Sequence, residues 1–256
     1  DVKRMLLAQK AYSEGGFALC MFGSQLADDI KTAPSEERRR YASLLLDTLI
    51  PVIKSWPSEY GCKANSMAIQ VLGGAGYVNE HPVEMFYRDN RLNPIHEGTT
   101  GIQSVDLLGR KVMMHQGAGL DAAISEFQST IALAIENERL APYAGQLGRA
   151  VDSLLATTAS IQNGMINEGV DLALANSARY LDMFGNITIA WIWLKLGLVA
   201  DGGLLAAEHQ HDKDFYQGKL QAMQYFYRFD LPEIYPWAEL LGRLDATTSE
   251  MQPEWF

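Results

Sequence analysis

The chain has 256 residues, 48% hydrophobic and 20% charged, which supports a substantial core as one large or two small domains. Its formal net charge of −10 argues against a nucleic-acid-binding face, which needs clustered Lys and Arg. The only two cysteines, Cys20 and Cys62, stand in no metal or redox spacing; they exclude a disulfide scaffold and read as reduced core residues.

Helical periodicity starts at once. Val2, Met5, Leu6, Gln9 and Tyr12 recur at three and four, and the run extends to about Ile30. The chain opens without an initiator Met and already inside this pattern, and no signal peptide is visible, so a piece of something longer is expected. Thr32-Ala33-Pro34-Ser35 is a turn. Ser35 is placed to cap a second helix, with Glu36 and Glu37 in the first turn where the dipole favours acids. That helix is expected to reach Trp56 with a bend at Pro51. Pro57-Ser58 restarts a helix carrying Cys62, Ala64, Met67, Ala68 and Val71 into a glycine cluster, Gln70-Val71-Leu72-Gly73-Gly74-Ala75-Gly76-Tyr77.

Residues 73–82 read as loop and Val83 to about Asn90 as a short helix, broken by Asn93-Pro94. Thr99 or Thr100 opens a helix through Ile102, Val105, Leu108 and Val112. Gly117-Ala118-Gly119 ends it and marks a domain boundary, dividing the chain into 1–116 and 117–256. Beyond it, Ile124, Phe127, Ile131 and Ile135 share one helix face; Leu147, Val151, Leu154, Ile161 and Met165 share another. A third helix runs from about Glu168 to Ala200, ended by Gly202-Gly203, with helix resuming to about Glu208. Phe215, Leu220, Met223, Phe226 and Tyr227 lie on a fourth, and Pro232 to Leu241 on a short last one. No period-2 run reads as a strand, so the class is all-α: two helical bundles in series. Phe184 to Ala200 carries one charge, Lys195. It is shorter than a membrane span, contains Gly185, Asn186 and Gly197, and holds its tryptophans in the middle rather than at the ends, so it reads as a buried core helix.

Candidate chemistry concentrates between Gln70 and Gln103. His209-Gln210-His211 has metal-like composition, but residues two apart do not share a helix face, and the run reads as solvated loop; no metal site is expected. His96 adjoins Glu97 but lacks the partners of a nucleophilic triad. The glycine cluster follows a helix rather than a strand, so it is not a dinucleotide fingerprint. It reads either as a helix C-cap, with Gly73 or Gly74 at positive φ, or as bare backbone that lets a bulky ligand approach, with Gln70 supplying an amide. Glu97 likewise has two readings. It is either a first-turn acid at a helix N-terminus, or a carboxylate base on flexible backbone beside free N–H groups that can face phosphate. A base for a carbon-bound proton works best with a pKa raised by burial.

Three blocks taken together, Gln70-x-x-Gly73-Gly74-x-Gly76-Tyr77, Phe86-Tyr87-Arg88-Asp89-x-Arg91 and Ile95-His96-Glu97-Gly98-Thr99 with Ile102-Gln103, resemble the C-terminal pattern of the acyl-CoA dehydrogenase family in order and spacing. Asp1 to Leu7 and Gly98 to Lys111 resemble its longer branch, which includes the 3-methylmercaptopropionyl-CoA dehydrogenases and carries an extra C-terminal helical domain. The match is firm over 1–116 and looser beyond.

The resemblance implies that Glu97 takes the α-proton of an acyl-CoA thioester, that FAD accepts the β-hydride, and that a 2,3-enoyl-CoA results. It implies that the Glu97 N–H helps hold the thioester oxygen and that Gly98 lies against substrate. Gln70, Val71, Leu72, Gly73 and Gly74 would contact the FAD of a neighbouring subunit in a homodimer or homotetramer. Thr99, Thr100 and Gly101 would face the FAD phosphates, Gly101 through backbone alone, since many relatives carry a polar residue there. Tyr77 and Arg88 would pack and pair beneath the site. An electron-transfer flavoprotein would be the acceptor, in a bacterial cytoplasm or a mitochondrial matrix, within fatty acid metabolism. Family members also carry an N-terminal helical domain and a β-barrel domain that complete the flavin and acyl sites, so this chain alone is expected neither to retain FAD nor to turn over. An acyl-CoA oxidase, which shares the base, and a non-catalytic binding relative are the alternatives.

Overall fold

The computed structural model describes residues 1–256 and contains helices and turns with no strand. The α-helices are α1 (Val2–Thr32), α2 (Glu36–Leu72), α3 (Val83–Asn90), α4 (Thr100–Asp106), α5 (Ala118–Ile135), α6 (Ala141–Asn167), α7 (Val170–Leu174), α8 (Ser177–Ala206), α9 (Gln210–Phe229), α10 (Ile234–Gly242) and α11 (Thr247–Glu250). The all-α class follows the sequence pattern.

α1 and α2 form a long antiparallel hairpin. Ser35 turns the chain: its Oγ accepts from the Arg38 N–H at 3.1 Å, with Glu36 and Glu37 in the first turn. α1 presents small residues to its neighbours. A Cβ on Gly15 would lie 2.7 Å from Trp193 Nε1, and one on Gly23 2.8 Å from Ile53 Cδ1, so both glycines allow close helix packing.

α2 corrects the expected restart at Pro57. The helix runs unbroken through Pro51 and Pro57. A mid-helix proline loses one N–H bond and costs about 3 kcal/mol in isolation. Packing offsets this loss: Pro51 is buried, and Trp56 stacks on Tyr60 at 3.9 Å and lies against Gly185. Trp56 Nε1 and Tyr60 Oη both donate to Asn186 Oδ1, at 2.8 and 2.9 Å, which fixes α2 against α8.

α8 is the central helix. It is long and apolar enough to cross a membrane, yet half of its most apolar stretch is buried within the bundle. Trp191 and Trp193 are fully buried there, and each indole N–H has an acceptor: Trp191 donates to Thr130 Oγ1 at 2.7 Å and Trp193 to the Ala11 carbonyl at 3.2 Å. Gly202-Gly203 does not end α8. A Cβ on Gly203 would lie 2.4 Å from Tyr216 Cζ, so that glycine admits the α9 aromatic rather than breaking the helix. The His209-Gln210-His211 run is also not wholly loop: His209 holds the N-cap position of α9 without a side-chain cap bond, and the next two residues belong to its first turn. Of the cysteines, Cys62 is buried as expected, but Cys20 is exposed on α1.

α4 continues as a π-helical turn, Leu107–Lys111, whose buried Lys111 ammonium pairs with Asp47 of α2. Three successive left-handed residues, His115, Gln116 and Gly117 (φ 52°, 60° and 86°), then redirect the chain into α5. A single core cluster of 49 buried residues, from Ala8 to Leu241, runs across this turn.

Candidate active site

Two turns carry the residues picked out in the sequence. The first follows α2. Gly73 has φ 59° and ψ −138°, a conformation open to glycine alone, and its N–H bonds the Gln70 carbonyl. A 3-10 turn, Gly73–Gly76, continues from it. A Cβ on Gly76 would lie 2.5 Å from the Ile69 carbonyl oxygen, so Gly76 is required by packing. A Cβ on Gly73 or Gly74 would meet nothing within 4 Å. Backbone conformation accounts for Gly73, but nothing in the fold accounts for Gly74. Gln70, Leu72, Gly73 and Gly74 are exposed and Val71 is half-buried.

The second turn joins α3 to α4. Asn90 Nδ2 donates to Asn65 Oδ1 at 2.9 Å and ties α3 to α2, while Pro94 is buried beneath the loop. The His96 ring lies 3.2 Å from Asn93 Oδ1. Glu97 and Gly98 then take consecutive left-handed conformations, φ 53° and 89°. Such a φ is strained for Glu and persists only when the surroundings hold it. Both carbonyls are held: Gln103 Nε2 donates to the Glu97 oxygen at 3.1 Å, and Lys54 Nζ to the Gly98 oxygen at 2.5 Å. Thr99 caps α4 through an Oγ1 that accepts from the Ile102 N–H at 3.4 Å.

This arrangement leaves two groups of Glu97 free. Its carboxylate is exposed and forms no ion pair or hydrogen bond, and its N–H has no acceptor in the chain. At the start of α4, the Thr100 hydroxyl donates to Glu59 Oε1 at 2.5 Å. What α4 presents outward there is therefore the backbone N–H groups of its first turn.

Tyr77 and Arg88 depart from expectation. Tyr77 is 80% exposed, and Arg88 is exposed without an ion pair, so neither packs nor pairs beneath the turn. Val78, Met85, Phe86, Leu92, Ile95 and Ile102 are also exposed, an apolar surface of the kind that marks a contact face. Sequence reading missed Lys54 and Glu59. They lie on α2 about 40 residues upstream, and no local pattern links them to the turn. Gln103 stood inside the motif, but its bond to the Glu97 carbonyl had no sequence signal.

Residues 3–113 match the family model described as acyl-CoA dehydrogenase, C-terminal domain, and residues 123–252 the model described as acetyl-CoA dehydrogenase C-terminal like. The chain is 35% identical to the 3-methylmercaptopropionyl-CoA dehydrogenase of Ruegeria pomeroyi over 88% of its own length and 38% of that protein. It is 27% identical to the broad-specificity linear acyl-CoA dehydrogenase FadE5 of Mycobacterium tuberculosis over 98% of its length and 42% of that protein. An acyl-CoA dehydrogenase from Bacillus anthracis, solved in complex with FAD, shares the fold with a TM-score of 0.66 at 17% identity, over 98% of this chain and 46% of that one. The chain thus spans about two fifths of the length of the curated relatives it matches. With two family models matched in succession, the first of them spanning the Glu97 turn, the chain belongs to the acyl-CoA dehydrogenase family, whose C-terminal helical region it carries.

Proposed function

We propose that this chain is the C-terminal part of an FAD-dependent acyl-CoA dehydrogenase that converts an acyl-CoA thioester into its 2,3-enoyl-CoA. The observation that carries the reading is the Glu97 turn: a free carboxylate and a free N–H on one residue, on backbone held at both flanking carbonyls.

The chemistry follows from those two groups. The Glu97 carboxylate removes the α-proton of the thioester. Charge then develops on the thioester oxygen, where the unpaired Glu97 N–H donates to it. Because Gln103 and Lys54 fix the turn, both groups are positioned before substrate arrives, which lowers the entropic part of the barrier. Gly98 lets the acyl group lie close to backbone. When bound, FAD supplies the acceptor for the β-hydride. Gly73 and Gly74, with Gln70, Val71 and Leu72, offer exposed backbone and an amide to that cofactor from a neighbouring subunit. Thr99, Thr100 and Gly101 face its phosphates through backbone N–H groups, since the Thr100 hydroxyl is engaged by Glu59.

The same reading assigns a homodimer or homotetramer that shares FAD across subunits, an electron-transfer flavoprotein as acceptor, and a place in fatty acid metabolism in a bacterial cytoplasm or mitochondrial matrix. The change of family model between residues 113 and 123 supports a division near residue 117, within one continuous core. The purified parent protein, given acyl-CoA and an artificial two-electron acceptor, is expected to reduce the acceptor and release enoyl-CoA in equal amounts. Thioester hydrolysis without acceptor reduction would overturn the reading.

A further inference from the structure

α1, α8 and α9 enclose a groove of about 860 Å³ that shares no residue with the region from Gln70 to Gln103. Its walls are apolar: Phe17, Met21, Phe22, Leu196, Val199 and Phe215. Phe17, Met21, Val199 and Phe215 are exposed, so the groove is open to solvent.

The charges in it are unevenly distributed. The Lys219 ammonium lies 3.1 Å from Glu14, which also accepts from Lys10 at 2.7 Å. Lys195 has no carboxylate partner. Its ammonium lies 4.9 Å from the ring centre of Phe22 and 4.8 Å from that of Trp191, held by aromatic faces alone. With two lysines and one glutamate in its lining, the groove is net positive on a chain of net charge −10. Phe22 and Glu14 are eight residues apart on α1, a rise of about 12 Å. Lys195, beside Phe22, therefore lies toward one end of the groove and the Glu14–Lys219 pair toward the other.

An apolar trough about 12 Å long, with one unneutralised cation at one end, is complementary to an alkyl chain bearing a single anionic head group. We propose that this groove binds a medium-chain fatty carboxylate, with its chain along Phe17, Met21 and Leu196 and its head group on the Lys195 ammonium. The inference is independent of the dehydrogenase reading, because it uses none of the same residues.

Titration calorimetry of the intact protein with decanoate and with decan-1-ol tests it. One decanoate per chain is expected. Lys195→Met should weaken decanoate at least about tenfold and leave decan-1-ol unchanged, since it removes the charge and keeps an apolar stem. Val199→Glu, at an exposed wall position, should abolish both. If Lys195→Met does not fold, Lys195→Arg must retain decanoate while Val199→Glu loses it. Equal decanoate affinity with and without the Lys195 charge would overturn the proposal, as would no binding to the intact protein. A doubled molecular mass that Val199→Glu halves would also overturn it, by showing a second copy in the groove.

Discussion

Asp230 closes α9 in a crowded polar junction, and its titration should be visible in the stability of the chain. The residue is 8% exposed. Its Oδ1 accepts from the Tyr12 hydroxyl at 2.7 Å, its backbone oxygen accepts from Asn186 Nδ2 at 3.0 Å, and its Oδ2 has no partner. Burial pushes the carboxyl up to about 6, against the opposing effects of the Tyr12 bond and of Lys63. A carboxyl whose folded pKa lies above its unfolded value binds its proton more tightly when folded, so the folded state loses stability as pH rises between the two values. A displacement from 3.8 to about 6 corresponds to about 3 kcal/mol lost by neutral pH. Asp230→Asn cannot titrate, so urea denaturation of both proteins at several pH values isolates the effect. The variant's stability relative to wild type should climb by about 3 kcal/mol between pH ~4 and pH ~7 and then level off. Any constant offset reflects the second amide group of Asn and is separate from this climb. A difference that does not vary with pH, or one that falls across this window, would show that burial does not raise the Asp230 carboxyl in the folded chain.

Three further outcomes follow from the packing and the turns. Gly119→Ala would place a Cβ 2.0 Å from Thr48 Oγ1 in the core and should destabilise the chain by about 1–3 kcal/mol in urea melts. Gly73→Ala should cost about 1–3 kcal/mol through its φ of 59°, whereas Gly74→Ala, with open space and no such φ, should leave stability within about 0.5 kcal/mol. In the parent protein the proposed FAD contact at Gly74 predicts that Gly74→Ala nonetheless weakens FAD binding about tenfold. The purified chain by itself should be colourless, and a stoichiometric flavin absorbance band would contradict that expectation.

Much of the fold was legible because it rests on local rules. The Ser35 cap with Glu36 and Glu37, the apolar period of α1 and the Thr99 cap of α4 each need only a few neighbouring residues. The errors arose where distant contacts decide. Pro57 continues α2 because Gly16 of α1 packs against it and Asn186 of α8 holds the neighbouring Trp56 and Tyr60, and Gly203 continues α8 because Tyr216 fills the space beside it. The candidate site divides in the same way. The identity of Glu97 and the glycines around it stood in the sequence. Its left-handed φ, and the lysine of α2 that pins the next carbonyl, did not, because nothing local relates Lys54 to Gly98. Motif position implies a supporting role for Tyr77 and Arg88, yet both side chains are exposed rather than packed in the core.

The role proposed for Glu97, α-proton base, rests on its carboxylate. Glu97→Gln in the full-length parent keeps the shape of the side chain and the turn and removes the proton acceptor. The direct measurement is exchange of the substrate α-hydrogen with solvent deuterium, followed alongside flavin bleaching by acyl-CoA. Both rates should fall by about 10²–10⁴ while FAD remains bound. Exchange and bleaching at the wild-type rate would rule out Glu97 as the base.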